Sequence, residues 1–394
     1  MTDTSMTGFA GADEQPLLDV ADLRTTFHTA VGPLVAVDGV DWSLRPGARL
    51  GVVGESGSGK SVMSRSIMRL LPKSRVTSTG SVLFDGIDMM SLGRRELLDM
   101  WGPQLAMVFQ DPLGSLNPVM KIGKQVGEGL RVHRDLSARA ARAAALDLLE
   151  EVGIPEPHRR IDEYPHQLSG GMRQRIVIAI ALACSPRLLI ADEPTTALDV
   201  TVQAQILDLL ETQRAERDMS LVLITHDLGV VAGRTDEVIV MYAGRIVERA
   251  PTATLFGNMR MPYTEALFRS IPKVTDDSHA RLEIIGGQPP RMTDLPTGCK
   301  FAPRCKYAQE LCVAEEPALI EAPAAADSND GGARRRGTWR DDDLDDDDND
   351  GGAPAGAHLY RCFYPVGTPE AAEAFERNVA SGRVSEAGVV IRAS

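Results

Sequence analysis

An eight-residue phosphate-loop pattern near the N-terminus constrains most tightly how this chain can fold. Residues 54–61 read Gly-Glu-Ser-Gly-Ser-Gly-Lys-Ser, a complete G-x-x-x-x-G-K-S pattern. An apolar run precedes the loop and a predicted helix over residues 61–71 follows it, which is the strand–loop–helix context that the motif needs. The glycines let backbone N–H groups close around phosphate oxygens, while Lys60 can reach the terminal phosphates and the Ser61 hydroxyl can ligate Mg²⁺. The motif therefore predicts binding of a nucleoside triphosphate.

Charge and hydropathy exclude several classes of protein. The 394 residues carry a formal net charge of −13, but eight aspartates within residues 341–350 contribute −8, which leaves −5 for the rest. Apart from a short cluster at residues 334–336 no basic stripe is evident, so we expect no nucleic acid partner. The polar N-terminus lacks a secretory signal, and the longest apolar stretch, residues 176–184, is too short to span a membrane. We expect a cytosolic protein that reaches a membrane only through a partner.

The order of apolar segments predicts an α/β fold. Short continuous apolar runs at residues 188–191 and 221–225 are typical of buried parallel strands, and a predicted helix over residues 201–217 separates them. This order indicates a core with helices on both faces of a sheet. Residues 1–16 are predicted to be a disordered tail. The Ala-, Gly-, Asp- and Arg-rich segment 323–357 is predicted to be a disordered, solvated insertion, because it cannot bury enough apolar surface to fold.

A pair of carboxylates closes the first of these apolar runs. Asp192 and Glu193 follow it directly, and an apolar strand that ends in two acids suits a nucleotide hydrolase. Asp192 can hold the Mg²⁺ shell, and Glu193 can polarise the attacking water. The alternative is an ordinary strand that ends in a solvated acidic turn, and the phosphate loop upstream disfavours that alternative.

Three further features carry weaker signals when each is taken alone. The Ser-Gly-Gly segment at residues 169–171 opens a predicted helix, where it can bind an anion or can simply pack closely and bind nothing. Gln110 follows a predicted strand and can sense metal or water, or can be a surface residue. His226 also follows a predicted strand, and a lone histidine there is open to a structural role.

Taken together and in this order, the motifs resemble those of the ATP-binding-cassette (ABC) ATPases over about residues 17–255. The resemblance implies an ABC-type P-loop ATPase with a RecA-like core, an antiparallel β subdomain and a helical subdomain over about residues 119–187. Met172 stands where the commonest signature has Gln, with little effect expected. By resemblance, Glu193, His226 and Gln110 are assigned to catalysis, and Ser61, Gln110 and Asp192 are assigned to Mg²⁺ binding. The resemblance assigns a larger set of residues to ATP binding: Phe27, Gly54, Glu55, Ser56, Gly57, Ser58, Gly59, Lys60, Ser61, Gln110, Ser169, Gly170, Gly171, Asp192 and Asp199.

The same resemblance implies that two cassettes pair head to tail. Each ATP then lies between the phosphate loop of one cassette and the signature segment, residues 169–171, of the other. This chain carries one set of motifs. It is therefore expected to pair with a second cassette, and a homologous subunit is favoured over a second copy of itself.

Four of the five cysteines lie in the C-terminal part of the chain. Cys299, Cys305 and Cys312 have five and six residues between them, and Cys362 follows after a further 49. These spacings are wider than those usual for zinc and do not match ferredoxin runs, so the spacing alone leaves open a tetrathiolate metal site or four unlinked thiols. Cys184 stands apart and is predicted to be a core residue.

The sequence around these cysteines resembles the C-terminal extension of dipeptide and oligopeptide importer ATPases, which nickel importers share. The resemblance rests on residues 262–267, 286–291, 298–305 and 360–362. It implies a C-terminal domain over residues 256–394 and makes Cys299, Cys305, Cys312 and Cys362 candidate ligands of a [4Fe–4S] cluster. The acidic insertion between Cys312 and Cys362 departs from the usual compact spacing.

These resemblances predict an ATP-hydrolysing subunit that powers import of di- or oligopeptides. Its expected partners are a homologous ATPase, two transmembrane permease subunits and an extracytoplasmic substrate-binding protein, and its expected place is the cytoplasmic face of the membrane. The alternatives are a nickel-chelate importer ATPase of the same family, a soluble ABC ATPase acting on ribosomes or DNA, an exporter ATPase, and a metal-sensing regulator with a vestigial ATPase. Intact Glu193 and His226 oppose the last of these.

Overall fold

A computed structural model describes residues 15–271, 285–323, 356–385 and 388–391. These residues form two compact units. The larger unit takes in the described residues up to Ile246 together with Gln288–Leu295, and the smaller takes in the described parts of Val247–Gly287 and Pro296–Ser394. Apart from residues 15, 16, 323, 356 and 357, the predicted tail and insertion lie outside the described residues.

The larger unit alternates strands and helices. Its strands are β1 (Leu18–Thr29), β2 (Gly32–Leu44), β3 (Arg49–Val53), β4 (Val76–Phe84), β5 (Ile87–Asp88), β6 (Leu105–Val108), β7 (Leu188–Asp192), β8 (Ser220–Thr225) and β9 (Glu237–Tyr242). Its helices are α1 (Lys60–Ile67), α2 (Arg94–Met100), α3 (Pro112–Ser115), α4 (Ile122–His133), α5 (Ala138–Glu151), α6 (Pro157–Arg160), α7 (Gly170–Leu182), α8 (Val200–Arg217) and α9 (Leu228–Val231). The predicted α/β class is confirmed.

A parallel sheet in the order β9-β3-β8-β7-β6 forms the centre of the larger unit. Its register pairs Val53 with Thr225 and Asp192 with Ile224, so β3, β7 and β8 end at the same level. The carboxyl ends of parallel strands share one edge of a sheet, and ligands bind at that edge in open α/β sheets. The segments that follow β3, β6, β7 and β8 therefore meet at one place.

An antiparallel sheet in the order β2-β1-β4-β5 packs on the same hydrophobic core. Helix α1 supplies Met63 and Ile67 to this core, where they join Val52 of the parallel sheet and Phe84 of the antiparallel one. All four side chains are at most 1% exposed. The helix that follows the phosphate loop is thus fixed between the two sheets.

Two predicted helices are shorter than the sequence pattern indicated, and left-handed residues explain both. The helix predicted over residues 61–71 ends at Ile67, because Arg69 adopts φ = +57°. The apolar period of residues 121–154 predicts a largely helical stretch with Ser137 as a helix N-cap, and the structure divides this stretch into α4 and α5, because Asp135 adopts φ = +51°. Ser137 caps α5 by accepting a hydrogen bond from the Ala140 N–H, as that pattern predicts.

The smaller unit contains three short paired strands and four helices among its described residues. They are β10 (Arg245–Pro251), which begins in the larger unit, α10 (Thr252–Asn258), α11 (Pro262–Arg269), α12 (Glu310–Ala314), β11 (Ile320–Glu321), β12 (Leu359–Tyr360) and α13 (Pro369–Ala380). Strand β12 pairs antiparallel with both β10 and β11. The Ala322 N–H also donates to the His358 carbonyl at 2.6 Å. The described residues on either side of residues 324–355 are therefore hydrogen-bonded neighbours.

A buried carboxylate organises the start of the smaller unit. Glu248 on β10 is fully buried and accepts hydrogen bonds from the backbone N–H groups of Arg260, at 2.5 Å, and of Met261, at 3.1 Å. His358 Nε2 lies 2.7 Å from the same carboxylate and is also buried. Three partners thus compensate the burial of this side chain.

Within the described parts of the chain, no helix has the length and hydropathy needed to cross a membrane.

Candidate nucleotide-binding site

Two glycines allow the phosphate loop to lie close to neighbouring backbone. Gly54 adopts φ = +156°, and a Cβ placed on it would lie 2.2 Å from the Met241 carbonyl oxygen. Gly59 adopts φ = +103°, and its Cβ would lie 2.5 Å from the Ala36 carbonyl oxygen. Neither position can take a side chain without moving the backbone. The loop is thus held against two strands, and α1 begins directly after it at Lys60.

Lys60 closes the loop from inside. Its ammonium donates to the carbonyl oxygens of Gly54 at 2.6 Å and Glu55 at 3.0 Å, and it lies 3.9 Å from Glu193 Oε1. Only 3% of the side chain is exposed, and burial lowers the pKa of Lys60. A phosphate oxygen can replace these carbonyl acceptors, because the ammonium already lies inside the loop.

Ser61 and Asp192 form a pair suited to magnesium. The Ser61 hydroxyl donates to Asp192 Oδ1 at 2.8 Å. Asp192 is fully buried, and among the described residues its Oδ2 has no hydrogen-bond partner, while Arg65 Nη2 lies 4.0 Å away. Burial raises the pKa of Asp192. An orphaned buried carboxylate oxygen beside a hydroxyl fits Mg²⁺, which is commonly bound through one or two carboxylates plus substrate phosphates.

Glu193 is held by three side chains from three separate segments. Its Oε2 accepts hydrogen bonds from Gln110 Nε2 and Thr196 Oγ1, both at 2.9 Å, and lies 3.3 Å from His226 Nδ1. Glu193 itself adopts φ = +48°, a left-handed conformation at the end of β7. Its hydrogen bond with His226 lowers the pKa of Glu193. The carboxylate is therefore ionised and fixed in direction beside the phosphate loop.

Thr196 is the member of this group that the sequence reasoning missed. The only signal in the sequence was a hydroxyl residue three positions after the acid. In the structure the Glu193 N–H donates to the Ile224 carbonyl, and the Thr196 N–H donates to the Glu193 carbonyl. A local turn of this kind brings residues i and i+3 together. Because threonine is common in turns, the pattern alone did not point to a role.

The contact between Glu193 and His226 predicts a pH window for stability. The hydrogen bond that His226 donates to the Glu193 carboxylate raises the pKa of His226. The stabilising contribution of His226 is therefore present below the ordinary histidine pKa and disappears as pH rises through the raised value. The Glu193 contribution is lost as pH falls through that residue's lowered pKa. We expect His226→Gln to reduce the midpoint of urea unfolding most between about pH 5 and 6. The exposed His158→Gln variant is the control, and an equal pH dependence in both variants would contradict this assignment.

The structure separates the predicted site residues into two groups. The phosphate loop, Gln110, Asp192, Glu193 and His226 meet at the carboxyl edge of the parallel sheet. Residues 169–171 lie instead at the start of α7, where Ser169 accepts from the Met172 N–H. A Cβ on Gly171 would lie 3.0 Å from Val202, and Asp199 caps α8 by accepting from the Val202 N–H. The second group therefore adjoins the start of α8.

Phe27 lies on β1, half-buried, between Leu34 of β2 and Val76 of β4. Ser58 is buried, and its hydroxyl has no hydrogen-bond partner among the described residues. Glu55 is half-buried, while Ser56 and Gly57 are exposed at the tip of the loop. The loop tip is thus accessible, whereas its base is packed.

The four C-terminal cysteines line one cavity in the smaller unit. Cys299, Cys305, Cys312 and Cys362 face it together with mostly apolar and aromatic side chains. All four are free thiols, and burial raises their pKa, in the case of Cys299 to about 11. In the described parts of the chain, no three His, Cys, Asp or Glu side chains are grouped so that they could hold a single metal ion. The spacing alone left this grouping open, whereas the family resemblance named the same four cysteines as a ligand set. Cys184 lies elsewhere, in the core as predicted.

Comparison with known proteins gives matches over both units. The family described as "ABC transporter" matches residues 37–196, and "Oligopeptide/dipeptide transporter, C-terminal region" matches residues 247–312. A "Putative peptide import ATP-binding protein" of Brucella melitensis biotype 1 is 51% identical over 316 residues, which cover 77% of this chain and 94% of that protein. A protein of the same description from Brucella abortus (strain 2308) is 51% identical over 304 residues, with 77% and 91% covered.

Solved structures of ATP-binding cassettes resemble about 60% of this chain. A dimeric post-hydrolysis state of the ATP-binding cassette MJ0796, bound to ADP and Pi, has a TM-score of 0.54 and 28% identity, and covers 60% of this chain and 98% of that chain. The cbiO1 protein from Clostridium perfringens, part of the ABC transporter complex cbiONQ, has a TM-score of 0.53 and 27% identity, with 62% and 92% covered.

Proposed function

This chain belongs to the ATP-binding proteins of ABC transporters, and we propose that it hydrolyses ATP to drive import of short peptides through a membrane permease. The observation that carries the proposal is that the chain combines an ABC ATPase unit with the oligopeptide/dipeptide transporter C-terminal region. Relatives that share half of their residues with it over nearly their whole length are described as peptide import ATP-binding proteins. ATP hydrolysis follows from the family, and the peptide cargo is the proposed part.

Each residue at the carboxyl edge of the sheet has a proposed task. Lys60 and the loop N–H groups bind the β- and γ-phosphates of ATP. Ser61 and Asp192 hold Mg²⁺, which supplies charge neutralisation at the phosphates when bound. Glu193 orients and polarises the attacking water, and the geometry supports this role because its carboxylate is ionised and lies 3.9 Å from the Lys60 ammonium.

Gln110 and His226 are proposed to position Glu193 and the γ-phosphate. Both now bond to Glu193 Oε2, at 2.9 Å and 3.3 Å. A water or a phosphate oxygen that enters the site offers either side chain a new partner. These contacts make Gln110, which precedes α3, a suitable element to report ATP occupancy to a permease.

The second group of site residues is proposed to act on a partner's nucleotide. Ser169, Gly170 and the Asp199 cap lie beside α8 and not at the phosphate loop of their own chain. The Ser169 hydroxyl and the N–H groups that begin α7 suit an anion brought by a second cassette. We propose a heterodimer with a homologous ATPase, two permease subunits and an extracytoplasmic substrate-binding protein, at the cytoplasmic face of the membrane.

The cysteine cavity is proposed to hold a [4Fe–4S] cluster. Four thiols that line one largely apolar cavity provide the kind of donor set that such a cluster needs. Burial raises the pKa of each thiol, so an iron cluster would supply the positive charge that favours the thiolate form. When bound, the cluster would link four segments of the smaller unit and could accept or give one electron.

Iron content tests the cysteine proposal. Anaerobically purified protein is expected to contain about four irons and four sulfides per chain, with a broad absorption in the blue part of the visible range. Cys305→Ser should lose most of both, because Cys305 is buried at the cavity. Cys184→Ser is the matched control and should keep them, since Cys184 is buried elsewhere. Iron-free parent protein would rule the cluster out.

Affinity purification tests the transport proposal. The tagged chain, purified from gently solubilised membranes, is expected to bring with it two polytopic subunits and a second ABC ATPase. ATP hydrolysis by that complex should rise when a peptide-loaded binding protein is added. If the tagged chain were recovered with ribosomes, or as an ATPase without membrane partners, the proposed import function would be overturned.

A further inference from the structure

A second cavity, of about 270 Å³, lies at the far end of α1 from the phosphate loop. The last turn of α1, the segment that follows it and β4 form its walls. Two basic, three hydroxyl and three apolar side chains line it, and no acidic side chain does. Nothing in the proposed ATPase or transport function uses these residues.

The two basic residues of the cavity, Arg69 and Lys73, are not engaged with carboxylates. Neither forms an ion pair within the residues that the structure describes. Arg69 NH1 donates to the carbonyl oxygens of Met89, at 2.6 Å, and of Met90, so its guanidinium is held in place at the wall. Lys73 is exposed at the mouth. The cavity therefore has one cation held by backbone carbonyls and one exposed cation, and neither is paired with a carboxylate of the described residues.

Hydroxyl groups complete the polar wall. Ser66 is 2% exposed, donates to the Val62 carbonyl at 2.7 Å, and lies 2.8 Å from Thr25 Oγ1. Ser78 Oγ lies 3.3 Å from the same Thr25 oxygen, and its single weak contact leaves it able to donate to an anion. Ser66 and Ser78 line the cavity together with Thr77, and the buried Thr25 behind them connects α1 and β4 through β1.

A helix C-terminus ordinarily repels anions, and here that effect is reduced. The Ser66 carbonyl accepts from the Arg69 N–H at 3.0 Å, and the Arg65 carbonyl accepts from the Leu70 N–H at 2.9 Å. The Met68 carbonyl accepts from Trp101 Nε1 at 2.9 Å. With these acceptors already satisfied, Arg69 and Lys73 determine the sign of the local charge.

We propose that this cavity binds a phosphate group, either as free phosphate or carried by a small molecule. Lysine and arginine with nearby hydroxyls are the usual donors to phosphate, and the apolar wall suits the carbon skeleton of a small ester. Helix α1 lines the cavity with its last turn and carries Lys60 at its first residue. Strand β4 also lines the cavity, and its residue Val76 pairs with Phe27 of β1. A ligand in the cavity would hold α1 against β4 and would thereby change the affinity of the phosphate loop for ATP. By thermodynamic linkage, bound ATP would change the affinity of the cavity for its ligand by the same factor.

Calorimetric titration of the full-length chain tests this proposal. The phosphate loop is first saturated with a non-hydrolysable ATP analogue and Mg²⁺, so that it cannot take the probe. Glycerol 3-phosphate and inorganic phosphate are then titrated separately. We expect saturable binding that Lys73→Ala weakens about tenfold or more, while Lys124→Ala, an exposed lysine on α4, leaves it unchanged.

The comparison of the two probes identifies the source of the phosphate. Tighter binding of glycerol 3-phosphate indicates a small phosphorylated molecule, and equal binding of both indicates the free ion. The Ser78→Ala variant should weaken either probe without altering the thermal unfolding midpoint greatly, since its hydroxyl makes one long contact. Absence of saturable binding with both probes, or equal loss in the Lys73 and Lys124 variants, would overturn the proposal. Because only binding is measured, neither outcome depends on the transported cargo.

Discussion

Glu193→Gln is expected to abolish ATP turnover while ATP binding is retained. The amide has nearly the shape of the carboxylate and can still accept from Gln110 Nε2 and Thr196 Oγ1, which now bond to Glu193 Oε2. It cannot take a proton from water or polarise it as an anion does. Removal of a general base costs about 10²- to 10⁴-fold in rate, so the phosphate release rate should fall at least about 100-fold. Nucleotide affinity should be kept or increased, because a negative charge near the γ-phosphate is removed.

Two measurements on the same preparation separate chemistry from folding. Phosphate release gives turnover, and titration with a fluorescent ATP analogue gives affinity. Glu150→Gln, which changes an exposed acid on α5 in the same way, should behave as the parent does. Normal turnover in the Glu193 variant would remove Glu193 from the mechanism. Loss of binding as well would show that the residue is needed for the shape of the loop.

Lys60→Ala is expected to have the opposite profile, with loss of ATP binding itself. The ammonium is enclosed by the loop and makes two backbone hydrogen bonds that a phosphate would replace. Charge-assisted hydrogen bonds contribute about 1.5–3 kcal/mol each, so two of them correspond to a loss of at least about 100-fold in affinity. Turnover should fall with binding and should not recover fully at high ATP, because the same charge stabilises the transferred phosphoryl group.

The buried position of Lys60 also requires a folding control. Alanine leaves the Gly54 and Glu55 carbonyl groups without their present donor, which can destabilise the loop. Lys60→Met fills more of the volume without the charge and should lose binding equally. Lys124→Ala should bind ATP as the parent does. If either Lys60 variant bound ATP with parental affinity while folded, the phosphate loop would not be the nucleotide site.

The sequence predicted those parts of the site that depend on local patterns and on parallel strand order. The phosphate loop is continuous in sequence, and Asp192 lies at the end of an apolar run, so both could be placed without a structure. Parallel strands that end at one edge bring Gln110 and His226 to the same place, which the register of β6, β7 and β8 provides. The roles of these residues stay predictions, whereas their proximity to Glu193 is observed.

The remaining features depend on contacts between distant segments. The convergence of the four cysteines needs Cys362 to return to the segment that carries Cys305, and this return depends on the pairing of β12 with β10. The buried Glu248–His358 contact joins residues 110 apart, and no periodic pattern marks either of them. Such pairings are set by tertiary packing, which a single sequence does not encode in its local periodicity.

The hydrogen bonds that join β11 and β12 have a practical consequence. Ile320 pairs with Tyr360, and the Ala322 N–H donates to the His358 carbonyl, so the two ends of the intervening segment are joined by the fold itself. The cost of closing a loop between fixed ends grows only slowly with its length. A fluorescent domain, an epitope or a short Gly-Ser bridge placed between Ala322 and His358 is therefore expected to leave these pairs intact without a change at either terminus.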